Sequence, residues 1–219
     1  MSTLSMIMQA LGLQGLLGAD VPLPPKRAEG LLSAEESIPL ALRPDSVTQR
    51  ALAKYETGSG GYNSLYSDAD LKKDSPFKGL KVSEMTIGEL KEFSNPSGQY
   101  GKWVKPRLAK DSYARKTGKT STPMGKYQIV GSTLKEYADK MKLSDSDVFS
   151  PELQDQMFLR IARDALATKN KKESQTPRTL RRTMRNRWEG FKKVGDTDLD
   201  KIIREITLEG PRRRPDTLL

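Results

Sequence analysis

The chemistry open to this chain is bounded first by two residue types that it lacks. Its 219 residues include no Cys and no His. That excludes a disulfide framework, a thiolate nucleophile, a thiolate or imidazole metal site and a Ser-His-Asp triad. Proton transfer must then fall to a carboxylate, a Lys or a Tyr, and no metal or cofactor is expected. Among the carboxylates, Glu56 stands out by position, because it lies where a short helix runs into a Gly-rich turn, Gly58 to Gly61. A Glu partly withdrawn from water keeps its proton near neutral pH and can protonate a poor leaving oxygen, as glycosidic cleavage requires. Taken alone, Glu56 reads more plainly as a solvated residue in a last helical turn, slightly disfavoured there by the helix dipole.

The elements that must hold such an acid are legible from caps and periodicity. Ser46 and Gln49 have capping-box spacing, and Val47, Ala51 and Tyr55 share a helical face, so a helix is predicted to close near Glu56. GGYNSLYS (60–67) reads as a short strand or hairpin arm, and Thr86 with Glu89 opens a helix carrying Ile87, Leu90 and Phe93. Residues 94–120 read as a loop with little regular structure, with Tyr100, Trp103 and Tyr113 interleaved. STPMGKYQIVGSTL (121–134) predicts a turn, a strand at Tyr127 to Val130 and a helix start at Ser132 or Thr133. Further helices are predicted to begin at Pro151, behind Ser150, and at Pro177, behind Thr176. A last one carries Leu199, Ile202, Ile203 and Ile206 and stops at Gly210 and Pro211. The fold class expected is α+β, mostly helical, with a small β element. Trp103 and Trp188 are both assigned to the core or a cleft wall, with the core preferred for Trp188.

Composition adds ends of a different character. Lys and Arg number 38 against 28 Asp and Glu, a net charge of +10, while 35% of residues are apolar and the mean hydropathy is −0.65. So apolar-poor a chain is expected to keep part of its length outside a shared core. Residues 1–19 carry no charge and are rich in Leu and Met. They lack the basic start of a signal peptide, and Gly and Gln interrupt them too often for a membrane span. With the Pro-rich stretch that follows, residues 1–45 are read as an assembly arm, residues 46–209 as the folded domain and residues 210–219 as a basic tail. Residues 169–219 hold 15 cations against 8 anions, which points to an anionic partner, either nucleic acid or a polymer such as a bacterial cell wall.

Three blocks, AKYETGSGGYNSLYS (53–67), STPMGKYQIVGSTLKEYADKMKL (121–143) and FSPELQDQMFLRIARDAL (149–166), resemble in kind and order the lysozyme-like peptidoglycan lytic enzymes of bacteriophages, the lambdoid endolysin and lytic transglycosylase group in particular. The resemblance extends over roughly residues 47–207 and leaves both ends unexplained. It implies a lysozyme-like domain in which Glu56 is the catalytic acid, with Ser121, Thr122, Gly125, Tyr127 and Gln128 lining a saccharide cleft. Gln128 and the backbone near Gly125 suit hydrogen bonds to an N-acetyl group or ring hydroxyls. Tyr62 or Tyr127 would stack on a sugar face, or simply pack as strand residues; Asn63 and Ser64 are weaker candidates.

The resemblance also carries a departure. Muramidases of the other large phage group place an Asp at a fixed spacing after the Glu, and here Leu65 occupies that position, with Asn63 near it and Asp68 and Asp70 displaced. A single acid favours a lytic transglycosylase, in which the muramic acid C6 hydroxyl captures the cation, over a hydrolase; Asp68 would restore hydrolysis if the turn were shaped differently. The expected function is cleavage of the MurNAc-GlcNAc β-1,4 bond of peptidoglycan by a virion- or tail-associated phage enzyme acting in the host periplasm. Residues 1–45 would dock on other virion or tail proteins, and an anionic wall is preferred over nucleic acid as the polymer partner. The alternatives are a free endolysin and a catalytically dead virion protein that binds nucleic acid through its Arg-rich helix.

Overall fold

The first helix of the folded body is held by its neighbours as much as by its own sequence. In the computed structural model, which describes residues 38–108, 120–167 and 176–208, α1 (Val47–Tyr55) starts behind Ser46, whose hydroxyl accepts the Gln49 N–H at 3.0 Å. Gln49 does not complete the box. Its amide instead donates to the Ala41 carbonyl at 2.8 Å and to the Tyr127 hydroxyl at 3.4 Å. The remaining first-turn donors are met from across the fold: the Glu205 carboxylate accepts from Val47 N (3.0 Å), Thr48 N (2.9 Å) and Thr48 Oγ1 (2.5 Å). A carboxylate at this end both satisfies orphan N–H groups and complements the helix dipole.

Six more α-helices follow among the described residues: α2 (Ile87–Phe93), α3 (Gln99–Arg107), α4 (Gly131–Met141), α5 (Pro151–Ala167), α6 (Pro177–Arg187) and α7 (Asp196–Thr207). The capping box at Thr86 and Glu89 is complete, and α5 and α6 begin at the prolines that predicted them. Strands β1 (Pro123–Met124) and β2 (Ile129–Val130) pair antiparallel around a turn in which Gly125 and Gln128 have positive φ. The fold is mostly helical with this one small sheet, as expected.

Three local expectations give way to packing. Residues 60–67 do not form a strand or hairpin arm. They make two 3-10 turns, Gly61–Asn63 and Tyr66–Asp68, and only Leu65 bridges to Met124. Residues 94–120 are not all loop, since Gln99–Arg107 is helical. Tyr100 and Val104 of α3 are fully buried, and Tyr100 stacks at 4.7 Å on Phe93 with Phe77 edge-on at 5.3 Å. Tertiary burial of one face supports a helix whose composition is poor in apolar residues. Helix α4 begins at Gly131, slightly earlier than Ser132 or Thr133.

The core centres on α5. Met157, Phe158, Ile161 and Ala162 are buried, with Tyr127 stacked on Phe158 at 4.3 Å and Trp188 tilted against it at 5.2 Å. The stripe Leu199, Ile202, Ile203 and Ile206 of α7 is buried as its spacing predicted. The compact body starts at Ile38, earlier than Ser46. Ala41 is fully buried in the turn Leu40–Leu42, which packs on α1 and α7. Residues 1–37 and the tail 210–219 lie outside the described residues.

Replacing Glu205 by Ala leaves three donors at the start of α1 without their acceptor. We expect a loss of about 2–3 kcal/mol and a fall in Tm of about 6 °C or more, read by circular dichroism. An unchanged Tm would show that this cap is not structural.

Candidate functional site

Helix α1 ends at Glu56, which points into a cleft of about 640 Å³ between the end of α1, the β1–β2 turn, the start of α4 and the chain following α6. Its Oε2 accepts the Gly190 N–H at 2.7 Å. Burial pushes the Glu56 carboxyl up to about 7, against the opposing pull of the Gly190 hydrogen bond, with the Glu189 charge adding to the rise and Lys193 reducing it. A carboxyl with that balance holds a proton at neutral pH and can also release it.

Several contacts fix this geometry. The backbone at Gly190 comes so close that an added Cβ would fall on Glu56 Oε2 and on the Tyr55 carbonyl, so only glycine permits the approach. On the other side, Thr57 donates from Oγ1 to the Lys126 carbonyl at 2.8 Å, tying the end of α1 to the β1–β2 turn. Trp188, 4% exposed, donates from Nε1 to the Tyr127 carbonyl at 3.3 Å and so joins the third wall to the same turn.

The residues singled out from the sequence divide into two groups. Ser121, Tyr127 and Gln128 line the cleft with Glu56. Gln128 donates from Nε2 to the Gly125 carbonyl at 2.8 Å, which holds its side chain on the turn. The Tyr127 ring is 1% exposed and stacked on Phe158, so it forms wall and offers no open face to a sugar.

The second group lies outside the lining. Thr122 is buried and donates to the Ser94 carbonyl at 2.9 Å. Gly125 has φ +72 and abuts Gln154 and Phe149, which makes it a turn residue. The Tyr62 hydroxyl donates to Asp155 at 2.9 Å, and the Lys126 ammonium sits 4.6 Å over its ring. Asn63 accepts the Ser83 N–H at 2.9 Å, and the Ser64 side chain is fully buried. Tyr62 and Tyr127 thus converge on Asp155, to which Tyr127 donates at 2.5 Å, as part of the packing behind the turn.

The carboxylates considered as a second group also lie off the cleft. Leu65 is buried against Met124. Asp68 accepts the Ser59 N–H at 3.0 Å and Asp70 the Leu65 N–H at 2.9 Å, so both brace the turn after α1. The cleft instead contains Glu136 and Glu189, together with Ser132, Thr133, Asn186, Arg187 and Lys193. Sequence spacing marked none of these, because charges at a helix end or on a helix surface look alike whether they face a cleft or bulk water. Glu136 pairs with Lys140 at 2.8 Å and Glu189 with Lys192 at 2.6 Å.

Much of the Arg row on α6 turns back onto α7. Arg181 reaches Asp200 at 2.7 Å and Asp196 at 3.3 Å, and Arg185 reaches Asp196 at 2.7 Å. Among the described residues no helix is long and apolar enough to cross a membrane, and no three acidic, His or Cys side chains group to hold a metal ion. No family model, curated protein or solved structure matches the chain.

The raised pKa of Glu56 has a stability consequence. Folding favours its protonated form, so the stabilisation is complete below about 4.5 and is lost as pH rises through about 7. Glu56→Gln keeps an acceptor for Gly190 and removes the titration. Its Tm is expected to exceed that of the native protein by a few degrees at pH 8, roughly the effect of 1–2 kcal/mol, and to converge with it near pH 4.5. A constant difference across that range would contradict the burial of this carboxyl.

Proposed function

We propose that the protein is a peptidoglycan-cleaving glycosidase with a lysozyme-like domain, acting as a lytic transglycosylase with Glu56 as its single general acid. The observation that carries this reading is a proton-holding carboxyl set in a cleft at the end of a helix. The cleft volume lies within the range usual for ligand sites, and Ser121 and Gln128 supply polar groups beside the acid.

In the proposed reaction Glu56 donates its proton to the glycosidic oxygen as the bond from that oxygen to the muramic acid C1 breaks. Positive charge develops at C1 and its ring oxygen. The C6 hydroxyl of the same sugar then forms the new bond to C1 and returns its proton to the Glu56 carboxylate, leaving a 1,6-anhydro ring and a regenerated acid. An internal nucleophile needs no carboxylate to activate water. The ion pairing of Glu136 and Glu189 and the structural duties of Asp68 and Asp70 support the one-acid scheme over hydrolysis.

The virion placement rests on the uncharged start and Pro-rich connector of the sequence, which would dock on other virion or tail proteins. Because Ala41 is buried in the body, the docking segment in this proposal is residues 1–37, shorter than the arm read from the sequence. A nucleic-acid role draws less support, since Arg181 and Arg185 of the basic helix are engaged by aspartates of α7.

Purified peptidoglycan digested with the native protein is expected to release muropeptides ending in anhydromuramic acid, identified by mass spectrometry. Glu56→Gln should lower the rate at least about a hundredfold while remaining folded. Because the acid must be protonated, the native rate should fall about tenfold per pH unit above the Glu56 pKa of about 7. Reducing-end products would identify a hydrolase; absence of any product from the native protein would overturn the enzyme reading.

A further inference from the structure

Among the described residues four aromatic side chains belong to the cleft lining, Tyr55, Tyr66, Tyr127 and Trp188, and three of them are already engaged. Tyr127 is stacked on Phe158, and Trp188 packs against Phe158 and Phe191. The Lys54 ammonium lies 5.0 Å over the ring of Tyr55. Tyr66 differs. It is half-buried, its ring meets no other ring and no cation among the described residues, and its hydroxyl has no hydrogen-bond partner there.

The main chain of Tyr66 is occupied, so what the residue offers to the cleft is its side chain. Its N–H donates to the Tyr100 hydroxyl at 2.9 Å, and its carbonyl accepts the Ala69 N–H at 3.3 Å. Tyr100 in turn donates to the Pro123 carbonyl at 2.7 Å. The hydroxyl of this fully buried tyrosine thereby joins Tyr66 to Pro123 and to α3, whose last turn leads into Leu108. Tyr66, Leu108 and Pro123 all supply apolar surface to the cleft. Immediately after Tyr66, Ser67 and Asp68 take φ values of 56 and 53, a left-handed backbone that is unfavourable for residues with a Cβ. Such conformations persist where the surroundings enforce them, and they gather at ligand clamps and active sites. Here two in succession follow the one unengaged aromatic of the cleft.

We propose that Tyr66 is the saccharide platform of the cleft, on which a pyranose ring of the glycan strand lays its apolar C–H face while the tyrosine hydroxyl hydrogen-bonds a sugar oxygen. This inference rests on the glycosidase reading above. It moves the stacking role expected of Tyr62 or Tyr127 to a residue that the fold leaves unengaged. The cleft divides its surface as ligand sites do, between apolar area and a few placed polar groups. Tyr66, Leu108 and Pro123 meet an apolar face, and Ser121, Gln128 and Asn186 offer hydrogen bonds to hydroxyl and N-acetyl groups. A pyranose with equatorial substituents calls for both, since its axial C–H groups leave the faces apolar and its rim carries the oxygens. Tyrosine suits such a ligand because it pairs a flat apolar body with a polar tip.

The test uses the full chain carrying Glu56→Gln, which does not consume its ligand, and a tetrasaccharide of alternating N-acetylglucosamine and N-acetylmuramic acid as the probe. With 13C-labelled tyrosine, the Tyr66 ring resonances, assigned by their absence in Y66F, are expected to shift as the tetrasaccharide is added. Adding Y66L, which keeps an apolar side chain but removes the flat ring, should weaken binding about tenfold, and Y66F, which removes only the hydroxyl, about threefold or less. With native Glu56, Y66L should lower kcat/KM on peptidoglycan by a similar factor, while the fall in rate with rising pH stays centred near 7; a general loosening of the cleft would move that centre. The resonance shifts need no destabilising variant, because the Tyr66 hydroxyl lost in Y66F has no partner among the described residues. Glycan binding with unmoved Tyr66 resonances, or with Y66L within about twofold of its parent, would overturn the platform while leaving the glycosidase reading standing. Absence of any glycan binding would overturn both.

Discussion

The contact on which the site depends is remote from it. The Glu205 carboxylate on α7 collects three donors at the start of α1, and α1 is only nine residues long. An isolated helix of that length is unstable in water, so its direction is set by what holds its two ends. At one end is an anion placed against the positive pole of the dipole. At the other is Glu56, held by the Gly190 N–H. Both anchors come from the last third of the chain, from α7 and from the segment joining it to α6. The acid is therefore positioned only when the C-terminal helices have packed.

That dependence accounts for the composition of the cleft walls. The segment from Trp188 to Lys193 does three jobs in six residues: Trp188 enters the core against Phe158, Gly190 approaches Glu56 closely enough to exclude any side chain, and Lys193 adds charge at the rim. The β1–β2 turn performs a similar division. Gly125 and Gln128 take positive φ to make the turn, Tyr127 enters the core, and the Lys126 carbonyl receives Thr57. Behind them Asp155 gathers the hydroxyls of Tyr62 and Tyr127. The burial that raises the Glu56 pKa thus comes from packed walls that the rest of the core keeps in place, and it costs stability where the carboxyl ionises.

What the sequence made legible followed the range of the forces involved. Ser46, Thr86, Pro151 and Pro177 announced helix starts because caps act within one turn, and Glu56 was found because it ends a short apolar-periodic segment beside glycines. Helix α3 has no local signal because its stability comes from burying Tyr100 and Val104 against distant aromatics, and residues 60–67 read as a strand because Tyr62, Leu65 and Tyr66 behind glycines suit one, where the chain instead makes 3-10 turns. The aromatic candidates were drawn toward the site by their chemistry, yet Tyr62 is tied to Asp155 and Tyr127 is core. Glu136, Glu189, Arg187 and Lys193 gave no local signal, since only the tertiary fold decides which charges on a polar helix face the cleft. Gly190 carried the same ambiguity, as a close approach of backbone to carboxyl has no signature in one sequence.

Burial keeps the Glu56 carboxyl about half protonated at neutral pH in the folded protein, where a solvated Glu would be ionised. This carboxyl can be followed by NMR with 13C-labelled Glu, the resonance being assigned by its absence in Glu56→Gln. The account predicts a titration midpoint near 7; a midpoint near 4.5, the ordinary value for a solvated Glu, would contradict it.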